Sequence, residues 1–137
     1  MKINILFICK FNRFRSQISA GFFHKLDVKK KFNVSSAGLI QGQPISKEVR
    51  DIASEYSIKL SKPKGLVRNV LRNQDIIVVA ANDVPPSIFT SLKKSGKRRV
   101  IVWKVKDVGA NKVKDIRRVT EILRKKVDVL YSSLSKN

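Results

Sequence analysis

Short apolar runs alternate along this chain with segments whose apolar residues recur every three to four positions. Ile3 to Ile8 is a compact run containing β-branched residues, bounded by the polar Asn12, Arg13 and Arg15, and it predicts a buried strand. From Ser16 onward, Ile18, Phe22 and Leu26 sit four apart with Phe23 beside them, which predicts an amphipathic helix ended by Lys29-Lys30-Lys31. Phe32 to Ala37 reads as a second short strand closed by Gly38. Ser46 is placed to N-cap a helix with Glu48 in its first turn and one stripe of Val49, Ile52, Ala53 and Tyr56. A turn at Lys62-Pro63 precedes a weaker helix over Leu66 to Leu71. Asp75 to Ala81 is the clearest buried strand, and Pro85-Pro86 opens a short helix that ends near Ser95-Gly96. Arg99 to Trp103 predicts a fourth strand. The last helix follows from Ile116, Val119, Leu123, Val127, Leu130 and Leu134, spaced by threes and fours.

Strands separated by helices predict an α/β fold: a three-layer domain with a parallel sheet flanked by helices and joined by right-handed crossovers. Ligands in such sheets bind beyond the carboxyl ends of the strands, where the strand order switches. The loop after the first strand is therefore the place to look for chemistry, and it contains Cys9.

Composition narrows the partners. The chain has 137 residues, of which 42% are hydrophobic, enough for one core in one domain over residues 1–137. Lys and Arg number 30 against 10 Asp and Glu, a net charge of +20, so partners should be anionic. The apolar runs fall far short of the roughly 20 residues a membrane helix needs. Lys2 with an apolar stretch broken by Asn4 does not read as a signal peptide. One cysteine cannot make an internal disulfide and suits a reducing compartment, so a cytoplasmic location is expected. One Cys and one His exclude a four-ligand Cys/His zinc site.

The loop reads Cys9-Lys10-Phe11-Asn12-Arg13-Phe14-Arg15-Ser16, a cysteine at a strand end, five residues, then Arg and Ser. A loop wound around an anion offers successive backbone N–H groups from Lys10 to Phe14, and the helix that follows adds its positive N-terminus. Arg15 can hold two phosphoryl oxygens in a bidentate fork. The same positive surroundings favour a Cys9 thiolate, the nucleophilic form, and Ser16 can donate to it. The rival reading makes Cys9 a small buried hydrophobe that finishes a strand.

The opening ILFICKFNRFRSQISAGFF resembles the low-molecular-weight protein tyrosine phosphatase family, within the arsenate-reductase-like superfamily, whose loop runs C-x-G-N-x-C-R-S after a first strand. SSAGL at Ser35 to Leu39, Gly42-x-Pro44, the strand from Asp75 and Asp107 after the fourth strand match in order. The resemblance implies a four-stranded parallel sheet and a phosphomonoester hydrolase without cofactor or metal, acting on a phosphorylated protein or a small phosphomonoester. Cys9 would be the nucleophile that forms a phosphocysteine, Arg15 would stabilise the transition state, and Asp107 would be the general acid. Asn12 would hold the loop through a hydrogen bond with Ser36, and Ser16 would support the thiolate. Phe11 stands where the family has Gly, and Lys10 where it often has an apolar residue. Phe14 replaces a second loop cysteine, so no disulfide can form there, and Val108-Gly109-Ala110 replaces Pro and an aromatic after the acid. The resemblance thus carries phosphatase chemistry further than phosphotyrosine preference. Related arsenate reductases use further cysteines that this chain lacks, and the sugar-transport IIB components lack the Arg.

Asp107 has a structural rival role as a turn cap before the last helix, and Asp83, after the third strand, is the reserve acid. His24 reads as an exposed helix residue and Trp103 as core. The clusters Lys93-Lys94, Lys97 to Arg99, Arg117-Arg118 and Arg124 to Lys126 read first as solvated faces, with steering of anionic substrates or incidental nucleic-acid binding as functional readings. The alternative function is a catalytically weak phosphate-loop protein that binds phosphorylated or nucleic-acid partners.

Overall fold

Apolar alternation along the strands supplies both faces of a central sheet. The structure, a computed structural model, describes residues 2–41, 43–89 and 98–136. Its elements run β1 (Ile3–Cys9), α1 (Arg15–Leu26), β2 (Phe32–Gly38), α2 (Lys47–Glu55), α3 (Arg68–Arg72), β3 (Ile76–Val79), a 3₁₀ turn (Pro86–Phe89), β4 (Arg99–Val102) and α4 (Val113–Ser135). The four strands are all parallel in the order β2-β1-β3-β4. The predicted architecture is the one formed, with the strand order switching at β1.

Side chains of β1 leave alternately to the two sides. Ile5 and Phe7 join Phe23, Ile18, Ile116 and Leu123 in the larger core beneath α1, α2 and α4. Leu6 and Ile8 join Ile77, Val79 and Phe89 in a smaller core on the other face. Helix α4 is long because its apolar stripe keeps period across Ile116, Val119, Leu123, Val127 and Leu130, all buried. Ser46 caps α2 as expected, accepting a hydrogen bond from the Val49 N–H at 3.2 Å.

Several bounds differ from the sequence expectation. Cys9 and Gly38 each belong to a strand and face each other across the β1–β2 ladder. Strand β3 is four residues long, although Ala80 still donates to the Ile8 carbonyl at 2.8 Å. Leu66 is drawn out of the expected helix because its N–H donates to the Gly38 carbonyl at 2.8 Å, so α3 starts two residues later. The helix end near Ser95-Gly96, Gly42, and the basic residues Lys93, Lys94 and Lys97 lie outside the described residues. Among the described residues, no helix is long and apolar enough to cross a membrane.

Candidate active site

The carboxyl end of β1 turns directly into α1, and the connecting loop is Lys10 to Phe14. Its shape has a local cause at Asn12, which sits at φ 56°, a left-handed backbone that Asn tolerates better than most residues. The Asn12 side chain is fully buried and satisfied in three directions. Its Nδ2 donates to Ser16 Oγ at 2.7 Å, and its Oδ1 accepts from Gln17 Nε2 at 3.3 Å and from the Lys64 N–H at 3.1 Å. The expected bond from Asn12 to Ser36 is therefore corrected. Ser36 is buried on β2 opposite Phe7, while Ser16, Gln17 and the Lys64 backbone satisfy Asn12.

Gln17 is the residue that pattern reading missed. It is buried and bonds twice to Asn12, at its carbonyl (3.2 Å) and its Oδ1. Its other end is fastened to Ser61, donating to the carbonyl at 2.9 Å and accepting from the N–H at 2.9 Å. The only signal in the sequence was a long polar side chain two positions after Arg15, in the first turn of an otherwise apolar-facing helix.

Gly38 supplies the second support. A Cβ there would stand 2.6 Å from the Phe11 carbonyl carbon and 2.7 Å from the Asn12 nitrogen, so the loop backbone lies directly on this glycine. The loop is also stitched to the chain after β2. The Cys9 carbonyl accepts from Leu39 N–H at 3.0 Å, and the Lys10 carbonyl from Ile40 N–H at 2.8 Å. By contrast, none of the backbone N–H groups of Lys10, Phe11, Asn12, Arg13 or Phe14 donates to an acceptor among the described residues. A run of five such donors stands at the N-terminus of a twelve-residue helix, an arrangement whose partial charges are positive.

Cys9 is buried, and its Sγ lies 2.9 Å from Ser16 Oγ. Asn12 also donates to that hydroxyl oxygen, so Ser16 is fixed between the loop and the sulfur. Arg15 is almost fully buried, with Nη1 donating to the Val105 carbonyl at 2.9 Å and Nη2 paired with Asp83 at 3.0 Å. Its Nε lies 3.7 Å from Asp107 Oδ1. Arg13 Nη2 approaches the other Asp107 oxygen at 3.5 Å. Asp107 also accepts from the neighbouring Val108 N–H at 3.0 Å, while the last helix starts at Val113 with no side-chain cap. Both candidate acids thus meet the same guanidinium, Asp83 more closely than Asp107.

The two loop phenylalanines separate. Phe14 is buried in the larger core and anchors the helix start, so its side chain points away from the loop mouth. Phe11 is half-buried at the mouth, with Lys10 Nζ 5.2 Å and Arg13 Cζ 5.0 Å from its ring centroid. His24 is exposed on α1, and Trp103 is buried against Phe7, as expected. Among the described residues, no group of three His, Cys, Asp or Glu side chains could hold a metal ion.

A family model for low molecular weight phosphotyrosine protein phosphatase matches residues 4–137. No curated protein compared with the chain matches it. Solved structures resemble its fold. The low molecular weight protein tyrosine phosphatase from T. tengcongensis is 21% identical, with a TM-score of 0.80 over 96% of this chain and 99% of that one. The YwlE arginine phosphatase from Geobacillus stearothermophilus is 19% identical, with a TM-score of 0.81 over 96% of this chain and 92% of that one. The thioredoxin-dependent arsenate reductase of Corynebacterium glutamicum is 23% identical, with a TM-score of 0.75 over 96% of this chain. This chain spans only 61% of that reductase's length.

Proposed function

The chain belongs to the low molecular weight phosphotyrosine protein phosphatase family, and from that premise we propose that it is a cysteine-dependent phosphomonoester hydrolase, working as one domain in a reducing compartment. The observation that carries this reading is the row of unpartnered loop N–H groups around a buried cysteine, with a buried arginine at the loop's end. In the proposed reaction the phosphoryl group settles on the amides of Lys10 to Phe14, and Arg15 turns from Asp83 to bind its equatorial oxygens. The Cys9 thiolate attacks phosphorus, the P–O bond to the leaving group breaks, and Asp107 gives that oxygen its proton. A phosphocysteine remains. Water then attacks it, passing a proton to the Asp107 carboxylate, and the P–S bond breaks to release phosphate and restore the thiolate, which Ser16 steadies by its hydrogen bond.

Asp83 is assigned a holding role in the resting site, neutralising the buried guanidinium until the phosphoryl oxygens take its place. An arsenate reductase that passes electrons between its own cysteines is a poor fit, since Cys9 is the sole cysteine. The test is hydrolysis of p-nitrophenyl phosphate by the wild type and the Cys9→Ser, Asp107→Asn and Asp83→Asn variants. We expect turnover that disappears in Cys9→Ser. Asp107→Asn should lower kcat by roughly a hundredfold or more, the usual share of general acid catalysis. Asp83→Asn should act mainly on KM by loosening Arg15. Wild type that binds vanadate yet hydrolyses nothing would overturn the enzyme reading and leave a receptor for phosphorylated partners.

A further inference from the structure

Above the phosphoryl cradle, the loop holds a second concentration of positive charge. Lys10 and Arg13 both lie against the Phe11 ring, at 5.2 and 5.0 Å from its centroid, a cation–π arrangement that collects two charges on one side chain. The root of this cluster is immobilised: the Lys10 carbonyl is bonded to Ile40, and the Phe11 backbone rests on Gly38. The charged heads are not enclosed, since Lys10, Phe11 and Arg13 are all half-buried. Arg13 has a partial counter-charge in Asp107 at 3.5 Å, whereas Lys10 has no carboxylate in ion-pair range among the described residues. Two cations over one ring, only one of them answered by an acid among the described residues, leave one positive charge uncompensated at the rim.

The surroundings also indicate what this charge would meet. The crevice between Arg13 and Asp107 is closed off behind by Phe14, Val49 and Ile116 and measures about 10 Å³, room for one water at most. Lys10, Phe11 and Arg13 are instead reached from solvent on the outer side of the loop, where a chain segment lying across it meets them. We propose that Lys10 and Arg13, held on Phe11, form an anion subsite that selects phosphorylated protein segments carrying Asp or Glu next to the phosphorylated residue. This rests on the phosphatase reading for its location and extends it to a substrate class.

The experiment measures binding and turnover separately. Three phosphotyrosine peptides, identical except for Asp, Asn or Lys flanking the phosphorylated residue, are titrated into Cys9→Ser protein by fluorescence anisotropy, and p-nitrophenyl phosphate turnover is followed in the wild type. The Asp peptide should bind about fivefold tighter than the Asn peptide, the reach of a partly exposed ion pair, and the Lys peptide weakest. The Asp-to-Asn ratio should shrink as salt brings the Debye length well below about 10 Å. Lys10→Met in the same background should bring the ratio close to one, and Lys10→Arg should restore it. Equal affinities for the three peptides, with turnover intact, would overturn the subsite and leave the phosphatase standing. Discrimination without turnover would do the reverse.

Discussion

Replacing Gln17 with Ala probes how a side chain outside the loop shapes the proposed anion site. In the native fold Gln17 bonds to Asn12 at two atoms and to Ser61 at its carbonyl and N–H. The Ser61 groups are exposed, so water replaces Gln17 there at little cost. Asn12 is completely buried, and its carbonyl loses its Gln17 donor. An unsatisfied buried carbonyl costs about 1–3 kcal/mol, and the one lost methylene, Cγ, adds about 1 kcal/mol. A total near 3 kcal/mol lowers Tm by about 10 °C for a chain of this size. The Asn12 end of the clamp accounts for about half of that loss, and it acts on the loop itself. Vanadate or phosphate should therefore bind roughly tenfold more weakly, by titration calorimetry on protein well below its new Tm. Gln17→Glu keeps the shape but sets an acceptor against the carbonyls of Asn12 and Ser61, so it should destabilise at neutral pH and partly recover when acid protonates it. A lower Tm with anion affinity unchanged within twofold would refute the reasoning, because the clamp would then serve the fold and not the loop.

Other perturbations separate further links. Gly38→Ala puts a methyl group 2.6 Å from Phe11 backbone, so the loop must shift; anion affinity should fall at least tenfold with a stability loss of about 1–3 kcal/mol, read by urea unfolding with and without phosphate. Gly21→Ala drives a Cβ into the Ile58 side chain one helical turn beyond Gln17, and should lower Tm while weakening vanadate less than Gln17→Ala does, because it removes no bond to Asn12. Glu121 on α4 is held at about 2, first by its hydrogen bond from Arg124 and then by that from Tyr56. A depressed carboxyl stabilises the fold above its unfolded value near 4.5 and loses that contribution as pH falls from there to about 2. The side chain is 40% exposed, so screening leaves on the order of 1 kcal/mol. Urea midpoints at pH 6 and pH 3 should therefore drop more in wild type than in Glu121→Gln.

The β1 strand, the α1 and α4 stripes and the Cys9–Arg15–Ser16 spacing could be read from residue order because they are local. Apolar period reports which face an element buries, and a loop between a strand and its helix has few geometries. The short strand β3 and the late start of α3 were less legible, since their ends depend on partners distant in sequence, Trp103 for Val79 and Gly38 for Leu66. Ser36 shows the same limit at the site. It belongs to a motif that lies beside the loop, but adjacency on β2 does not say which side chain Asn12 will reach.

Sequence alone determined that this is a basic α/β chain with a cysteine phosphate loop after its first strand, because periodicity, charge and motif spacing are properties of neighbouring residues. Tertiary structure decided that Gln17 and Lys64 hold Asn12, that Phe14 turns inward while Phe11 gathers two cations at the mouth, and that Asp83 and Asp107 converge on Arg15. Those contacts join residues up to 92 positions apart, as between Arg15 and Asp107. No local preference encodes them; they exist because parallel strands bring the carboxyl ends of β1, β3 and β4 to one edge of the sheet.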